Sequence, residues 1–197
     1  MLIKNKQKKE YGFTLMEVIV AIFILTVGIG GSFMLIQQTL AGVSTVQSRL
    51  IATYLGQEGI EIIRNIRDNN WLEQRASFQV PPQPLWNVGL TDLINCQSPA
   101  SCCEADYNTD TSPSDPLVAV AGCDFSDLRY LNLDGSGFYS YLAGAQTKFK
   151  RKIFIDIEEI DENKMKVTVI VQWEEKNKFH EIKVIEHITN WYKQRIQ

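Results

Sequence analysis

Between Phe13 and Ile36 the chain has 24 consecutive residues with no proline and a single charge, Glu17. As a helix, a run of this length reaches across the roughly 30 Å hydrocarbon core of a bilayer. A carboxylate inside such a segment costs about 2.5–3.5 kcal/mol on insertion scales, so Glu17 calls for a function. Lys4, Lys6, Lys8 and Lys9 precede the run. Lysines in that position stay on the cytoplasmic side, which places everything after the run outside. Two ordinary explanations compete: a cleaved secretory signal and a plain single-pass anchor. The apolar core of a signal is shorter, about 7–15 residues, and ends in small residues. Thr39-Leu40-Ala41-Gly42 fits that ending poorly.

The residues at the start of the run narrow the choice. A short basic leader, then Gly12-Phe13-Thr14-Leu15-Met16-Glu17 and an unbroken apolar helix resemble the N-terminal signal of type IV pilins and pseudopilins. The resemblance covers residues 8 to 36, and GFTLMEVIVAIFILTVGIGG is most similar to minor pilins of the type IV pilus modification type. It implies cleavage by a prepilin peptidase between Gly12 and Phe13, and N-methylation of Phe13. It also implies that Glu17, with Thr14 beside it, serves assembly: the carboxylate pairs with the N-terminal amine of a neighbouring subunit. Pairing removes two desolvation penalties in one geometry, so Glu17 disfavours the lone state and rewards docking. Many pilins carry a proline about two-thirds along this helix. Here the region reads Gly28-Ile29-Gly30-Gly31, with Met34 near the expected proline. Each glycine costs about 1 kcal/mol relative to alanine in a helix. The cluster is either a soft point that extends in a filament or a site of close helix packing.

The implied organisation is a leader at 1–12, a transmembrane half-helix at 13–36, an amphipathic half-helix at 37–68, an irregular region at 69–128 and a sheet at 129–197. The expected fold class is α+β, a long N-terminal helix packed on an antiparallel sheet of about four or five strands. Beyond the span, Leu40, Val43, Leu50, Ile51, Tyr54, Leu55, Ile62 and Ile66 recur at helical spacings. The whole helix should form one rod of ~55 residues, about 80 Å long, stopping at Asp68-Asn69-Asn70. No seven-residue repeat is sustained, which argues against a coiled coil.

The region after the helix contains Pro81, Pro82 and Pro84, and Trp71 and Trp86 are expected to anchor it. It also holds all four cysteines, Cys96, Cys102, Cys103 and Cys123. An even count in an exported chain points to disulfides. A bond between the neighbours Cys102 and Cys103 is strained, so one short link from Cys96 and one longer link to Cys123 are expected. Which of the two adjacent cysteines takes which partner stays open. The spacing lacks the paired knuckles of a zinc site. From Leu128 onward the pattern has period two, with three longer strands around Ile153–Ile157, Met165–Trp173 and Phe179–Thr189 and turns at Asp161-Glu162-Asn163 and Lys176-Asn177. One sheet face should be wet and the other covered by the helix. Asp134-Gly135-Ser136-Gly137 marks a hairpin turn; its few oxygens fall short of the six to eight that Ca²⁺ takes.

No catalytic constellation, metal site or cofactor motif stands out. His180 and His187 lie an odd number apart on one strand and so face opposite ways. Glu158, Glu159, Asp161 and Glu162 read as a solvated strand end and turn. Without the first ten residues the chain holds 16 basic against 22 acidic side chains, which gives no support for nucleic-acid binding. The expected protein is a structural subunit, not an enzyme. The partners implied by the resemblance are other pilin subunits, the prepilin peptidase, the inner-membrane pilus assembly platform and membrane lipid. The implied location is the cytoplasmic membrane, as a single-pass protein with its C-terminal domain outside, and then the cell-surface pilus. A pseudopilin of a secretion or DNA-uptake machine shares the same N-terminus, and a membrane-anchored binding protein is the alternative from another class.

Overall fold

The computed structural model describes residues 12–76, 86–90, 96–97, 101–109, 117–120, 122–157 and 163–191. Helix α1 runs from Leu15 to Ala76. Seven strands follow: β1 (Cys103–Glu104), β2 (Val118–Ala119), β3 (Tyr130–Leu133), β4 (Tyr139–Ser140), β5 (Ala145–Ile157), β6 (Lys164–Glu175) and β7 (Lys178–Thr189). The fold is α+β, as expected, with two more short strands, β1 and β2, contributed by the region read as irregular. By internal contacts the chain divides into two units, residues 1–46 and 47–197.

In the first unit α1 is apolar all round, and its side chains from Leu15 to Leu40 are exposed. Its few hydroxyls fold back on the helix. Thr26 donates to the Phe23 carbonyl at 2.9 Å, Ser32 to that of Gly28 at 2.8 Å and Thr39 to that of Leu35 at 2.9 Å. A helix that satisfies its own polar groups in this way is suited to a medium without water.

In the second unit every strand pairing is antiparallel, and β5 is the centre of the sheet. Strand β6 follows one edge of β5 from Phe149 to Ile157, and β7 lies beyond β6. The other edge of β5 is shared by β3 and, at Ile153, β1. The β6–β7 turn places Lys176 and Asn177 at φ of 54° and 58°. Two left-handed residues make the type I′ turn whose twist suits a two-residue hairpin.

The helix covers one face of this sheet, and of the residues its apolar periodicity marks, Leu55, Ile62 and Ile66 are buried in the core, with Ile51 packed against it. Leu50 and Tyr54 are exposed, and so are Leu40 and Val43 in the first unit. The buried stripe is Ser48, Ala52, Leu55, Gly56, Gly59, Ile60, Ile63 and Ile66, at spacings of three and four. Small residues lead it because the helix lies very close to the sheet. A Cβ on Gly56 would stand 2.7 Å from Val184 Cγ2, and one on Gly59 2.9 Å from Val169 Cγ1. Opposite them Val167, Val169, Val171, Ile153 and Ile155 are fully buried.

Arg151, fully buried on the same face of β5, fills the space beside Gly59. Its guanidinium donates to the Leu55 carbonyl at 2.9 Å, to the Glu58 carboxylate at 2.9 Å and to the Ala105 carbonyl. The helix also continues past its expected stop. Asn70 stays helical because its side-chain amide donates outward, to the carbonyls of Trp86 (3.1 Å) and Val88 (2.9 Å). Trp71 and Trp86 are both buried in the core at this end.

The second sheet face, read as wet, is partly covered. Cys102, Cys123, Leu128 and Phe154 form a small second cluster there, joined by Val120 and Ile170. Cys96 bonds Cys103 and Cys102 bonds Cys123, with Cα separations of 5.3 and 5.9 Å. The period of two assigns the partners: Cys103 points into the helix-side core with Cys96, while its neighbour Cys102 points to the opposite face with Cys123. Two lysines of β5 hold the cover down. Lys150 donates to the Phe125 carbonyl at 2.6 Å, and Lys152 to the Cys123 carbonyl at 2.8 Å. Burial lowers the pKa of Lys150, whose ammonium also lies over the rings of Phe125 (4.4 Å) and Tyr130 (4.2 Å).

Gly59→Ala should therefore destabilise the chain, although alanine improves helix propensity. Valine is stiff about χ1 and cannot swing aside, so overpacking of about 1–3 kcal/mol outweighs the roughly 1 kcal/mol gain. Thermal unfolding followed by circular dichroism should show a melting temperature several degrees lower. Gly135→Ala, with open space around the new methyl, should leave it unchanged.

Candidate functional site

Gly12, Phe13 and Thr14 precede the helix, and Glu17 lies in its first turn. Thr14 is the N-cap: its hydroxyl accepts the Glu17 N–H at 3.3 Å, and its carbonyl accepts the N–H groups of Glu17 (3.1 Å) and Val18 (3.3 Å). Thr-x-x-Glu is the spacing of a capping box, a local signal that the sequence carries alongside the pilin resemblance. A carboxylate in the first turn also meets the positive end of the helix dipole. Glu17 thus has a local role that does not compete with an intermolecular one, because its side chain is exposed. Phe13 is 81% exposed, an accessible residue beside the expected cleavage point. Gly28, Gly30 and Gly31 remain helical, with no atom within 4 Å of an added Cβ. They present bare backbone on the surface of the span.

The other sequence-level candidates are taken up by structure. Asp134 is engaged within its own hairpin. One oxygen accepts the N–H groups of Ser136 (2.8 Å) and Phe138 (3.0 Å), and the other accepts the Tyr107 hydroxyl at 2.8 Å. The carboxylate acts as a turn clamp. His180 pairs with Trp173 across the hairpin and stacks on it, with ring centroids 5.4 Å apart, whereas His187 pairs with Lys166. The two histidines face opposite sides of the sheet. Among the described residues no group of three or more His, Cys, Asp or Glu could hold a metal ion. Glu158, Glu159, Asp161 and Glu162 lie outside the described residues, as do Pro81, Pro82 and Pro84.

What the described residues define is an exposed apolar helix, long and apolar enough to cross a membrane, joined to an α+β unit with two disulfides. This is consistent with a membrane-anchored single-pass protein. Residues 7–33 match the family model described as the prokaryotic N-terminal methylation motif. The match supports a type IV prepilin-type signal and suggests a structural subunit. No curated protein and no solved structure matches the chain.

The Asp134 clamp has a pH signature. The Phe138 N–H, and then the Tyr107 hydroxyl, hold its carboxyl below the ordinary carboxylate range. A lowered folded pKa contributes stability above the unfolded value, lost as pH falls through the folded one. An NMR titration should place the Asp134 midpoint below that of a model aspartate, and Tyr107→Phe should move it upward. Millimolar Ca²⁺ should leave it unmoved.

Proposed function

We propose that this chain is a minor pilin-like structural subunit of a type IV pilus or a closely related filament. The observation that carries the reading is the methylation-motif match over residues 7–33, laid on the apolar run 13–36 whose sole charge is Glu17. Prepilin peptidase removes residues 1–12 on the cytoplasmic side, and Phe13 becomes the methylated N-terminus. Residues 13–36 hold the subunit in the cytoplasmic membrane through lipid contact. The rest of α1, to Ala76, the cystine-bearing region and the sheet lie outside the membrane. Both disulfides lie in that exported part, which suits an oxidising compartment.

Assembly then turns on charge in an apolar medium. Cleavage creates an ammonium at Phe13, and Glu17, already set in the first turn by the Thr14 cap, supplies a carboxylate to a neighbouring subunit. Each ion alone in lipid costs several kcal/mol, and the pair does not. The assembly platform of the inner membrane and the other pilin subunits are the partners of this step. The sequence GFTLMEVIVAIFILTVGIGG favours the minor-pilin type.

Co-expression with an active prepilin peptidase tests the first step. Intact mass and N-terminal sequencing should give a chain that begins at Phe13 and carries one added methyl group. A chain retaining residues 1–12, beside a correctly processed control, overturns the reading. Glu17→Ala tests the second step. Membrane insertion should be unchanged, because removing the carboxylate only favours lipid, while recovery in sheared filaments should fall at least tenfold. Normal recovery excludes Glu17 as the docking charge.

A further inference from the structure

The two disulfides cross in sequence: the first cysteine bonds the third, and the second bonds the fourth. Only the pleat of the folded chain tells the adjacent cysteines apart. Cys103 on β1 pairs with Ile153 and stands in the helix-side core with Cys96, whereas Cys102 stands in the outer cluster with Cys123. An unfolded chain has no pleat, and there Cys102 and Cys103 are equivalent targets. The native links join residues 7 and 21 apart. The exchanged links, Cys96–Cys102 and Cys103–Cys123, each close a loop one residue shorter. Loop-closure cost grows only with the logarithm of length, so chain entropy does not favour the native pairs. Whichever neighbour Cys96 takes, the other is left for Cys123.

The exchanged isomer cannot form this sheet. A disulfide holds its Cα atoms within about 7 Å and needs Cβ atoms that face each other. Cys96 lies on the helix side and Cys102 turns to the other, so an exchanged bond would pass through the sheet. β1 could comply only by slipping one residue, which turns every side chain over. Glu104 is buried, and its carboxylate accepts the Arg129 N–H at 2.7 Å and Nε–H at 2.6 Å. A slip carries Glu104 away from Arg129 into the apolar core, and takes the Ala105 carbonyl from Arg151. With both its bonds closed, the exchanged isomer has no thiol with which to correct itself.

We infer that this chain is a client of a thiol–disulfide isomerase, a partner that presents a reactive thiolate to the Cys102–Cys103 pair of the exchanged isomer. The rearrangement balances without net oxidation. The partner's thiolate attacks Cys103 Sγ, breaks the Cys103–Cys123 bond and releases the Cys123 thiolate. Cys123 then attacks Cys102 Sγ, forms the native Cys102–Cys123 bond and releases the Cys96 thiolate. Cys96 attacks Cys103 Sγ, forms the native Cys96–Cys103 bond and returns the partner's thiolate. Folding ends the cycle, because exchange needs access to a sulfur. Cys96, Cys102 and Cys103 are fully buried, and Cys123 is 6% exposed. This dependence follows from the cystine pairing and not from the filament reading, which the N-terminal mass measurement tests separately.

The test starts from the full chain in detergent, reduced and unfolded in guanidinium, oxidised there with diamide and returned to native buffer. Partial reduction, alkylation and tandem mass spectrometry tell Cys102 from Cys103. The exchanged isomer should make up at least a third of the oxidised chains and persist for a day without thiol. A catalytic amount of reduced disulfide isomerase should then raise the native pairing at least twofold, and the β-sheet circular dichroism should rise with it. The same isomerase with alkylated active-site cysteines should do nothing. Cys102→Ala combined with Cys123→Ala leaves one possible bond, so its folded yield should not respond to the isomerase. If that variant does not fold, the wild-type pairing decides alone. Three outcomes overturn the inference: almost wholly native pairing after oxidation in guanidinium, equal recovery of native pairing without the isomerase, or an exchanged isomer with the circular dichroism and melting temperature of the native one.

Discussion

The unit from residue 47 onward depends on how close a helix can come to a sheet. At Gly56 and Gly59 there is no room for a methyl group between α1 and the valines of β6 and β7. That approach buries the aliphatic faces of three strands under a single helix. It also leaves a channel along β5 that only a long, thin side chain can occupy. Arg151 occupies it, and its charge becomes useful there. A buried guanidinium costs several kcal/mol unless its donors are met. Its two terminal nitrogens are met by the helix at Leu55 and Glu58 and by the chain before β2 at Ala105, while Nε finds no acceptor among the described residues. The Arg151 carbonyl in turn accepts the Tyr141 hydroxyl at 3.3 Å. One ion thereby ties together the helix, the sheet and the cystine-bearing region, which a purely apolar residue at this position could not do.

The sequence carried the fold class because periodicity carries it. Residues 164 to 189 alternate so regularly that strand, turn and strand follow from the pleat alone. The contact face of the helix was legible in part, since Leu55, Ile62 and Ile66 are buried as their spacing implies. Close packing also selects small residues, which a pattern of large apolar ones does not mark, so Ala52, Gly56 and Gly59 complete the contact while Leu50 and Tyr54 stay exposed. The helix end was misjudged for a related reason. Asn69-Asn70 is a stop signal only when the side-chain amide bonds to its own backbone, and Asn70 bonds to a distant segment instead. Lys150 and Lys152 donate to carbonyls of the chain that covers the outer face. They are clamps, and nothing local to their sequence distinguishes a lysine in water from one aimed at a loop carbonyl.

In the N-terminal unit the same residue answers to two requirements. A helix that begins in an apolar phase must satisfy its first N–H groups without water. Thr14 and the acidic first turn contribute to that locally, whatever the assembly state. An intermolecular role for Glu17 adds to this arrangement: a carboxylate held in the first turn is already near the end of the chain, where a terminal ammonium would arise. In the proposed filament the cost of the charge in lipid would make pairing selective, since a neutral side chain at this position would be indifferent to its neighbours.

The two faces of the sheet differ in what covers them. On one side a helix packs as a continuous ridge. The outer cover is a run of irregular chain, held at Cys123 by a disulfide and at Phe125 and Cys123 by lysine hydrogen bonds. Such a cover is fixed at points and ends abruptly. Its Phe125 ring reaches Phe179 on β7, the edge strand, with centroids 4.9 Å apart. The outer face is thus shielded without a helix: a disulfide and two lysines hold irregular chain over the apolar middle of β5, where burial of a few side chains alone would not fix it.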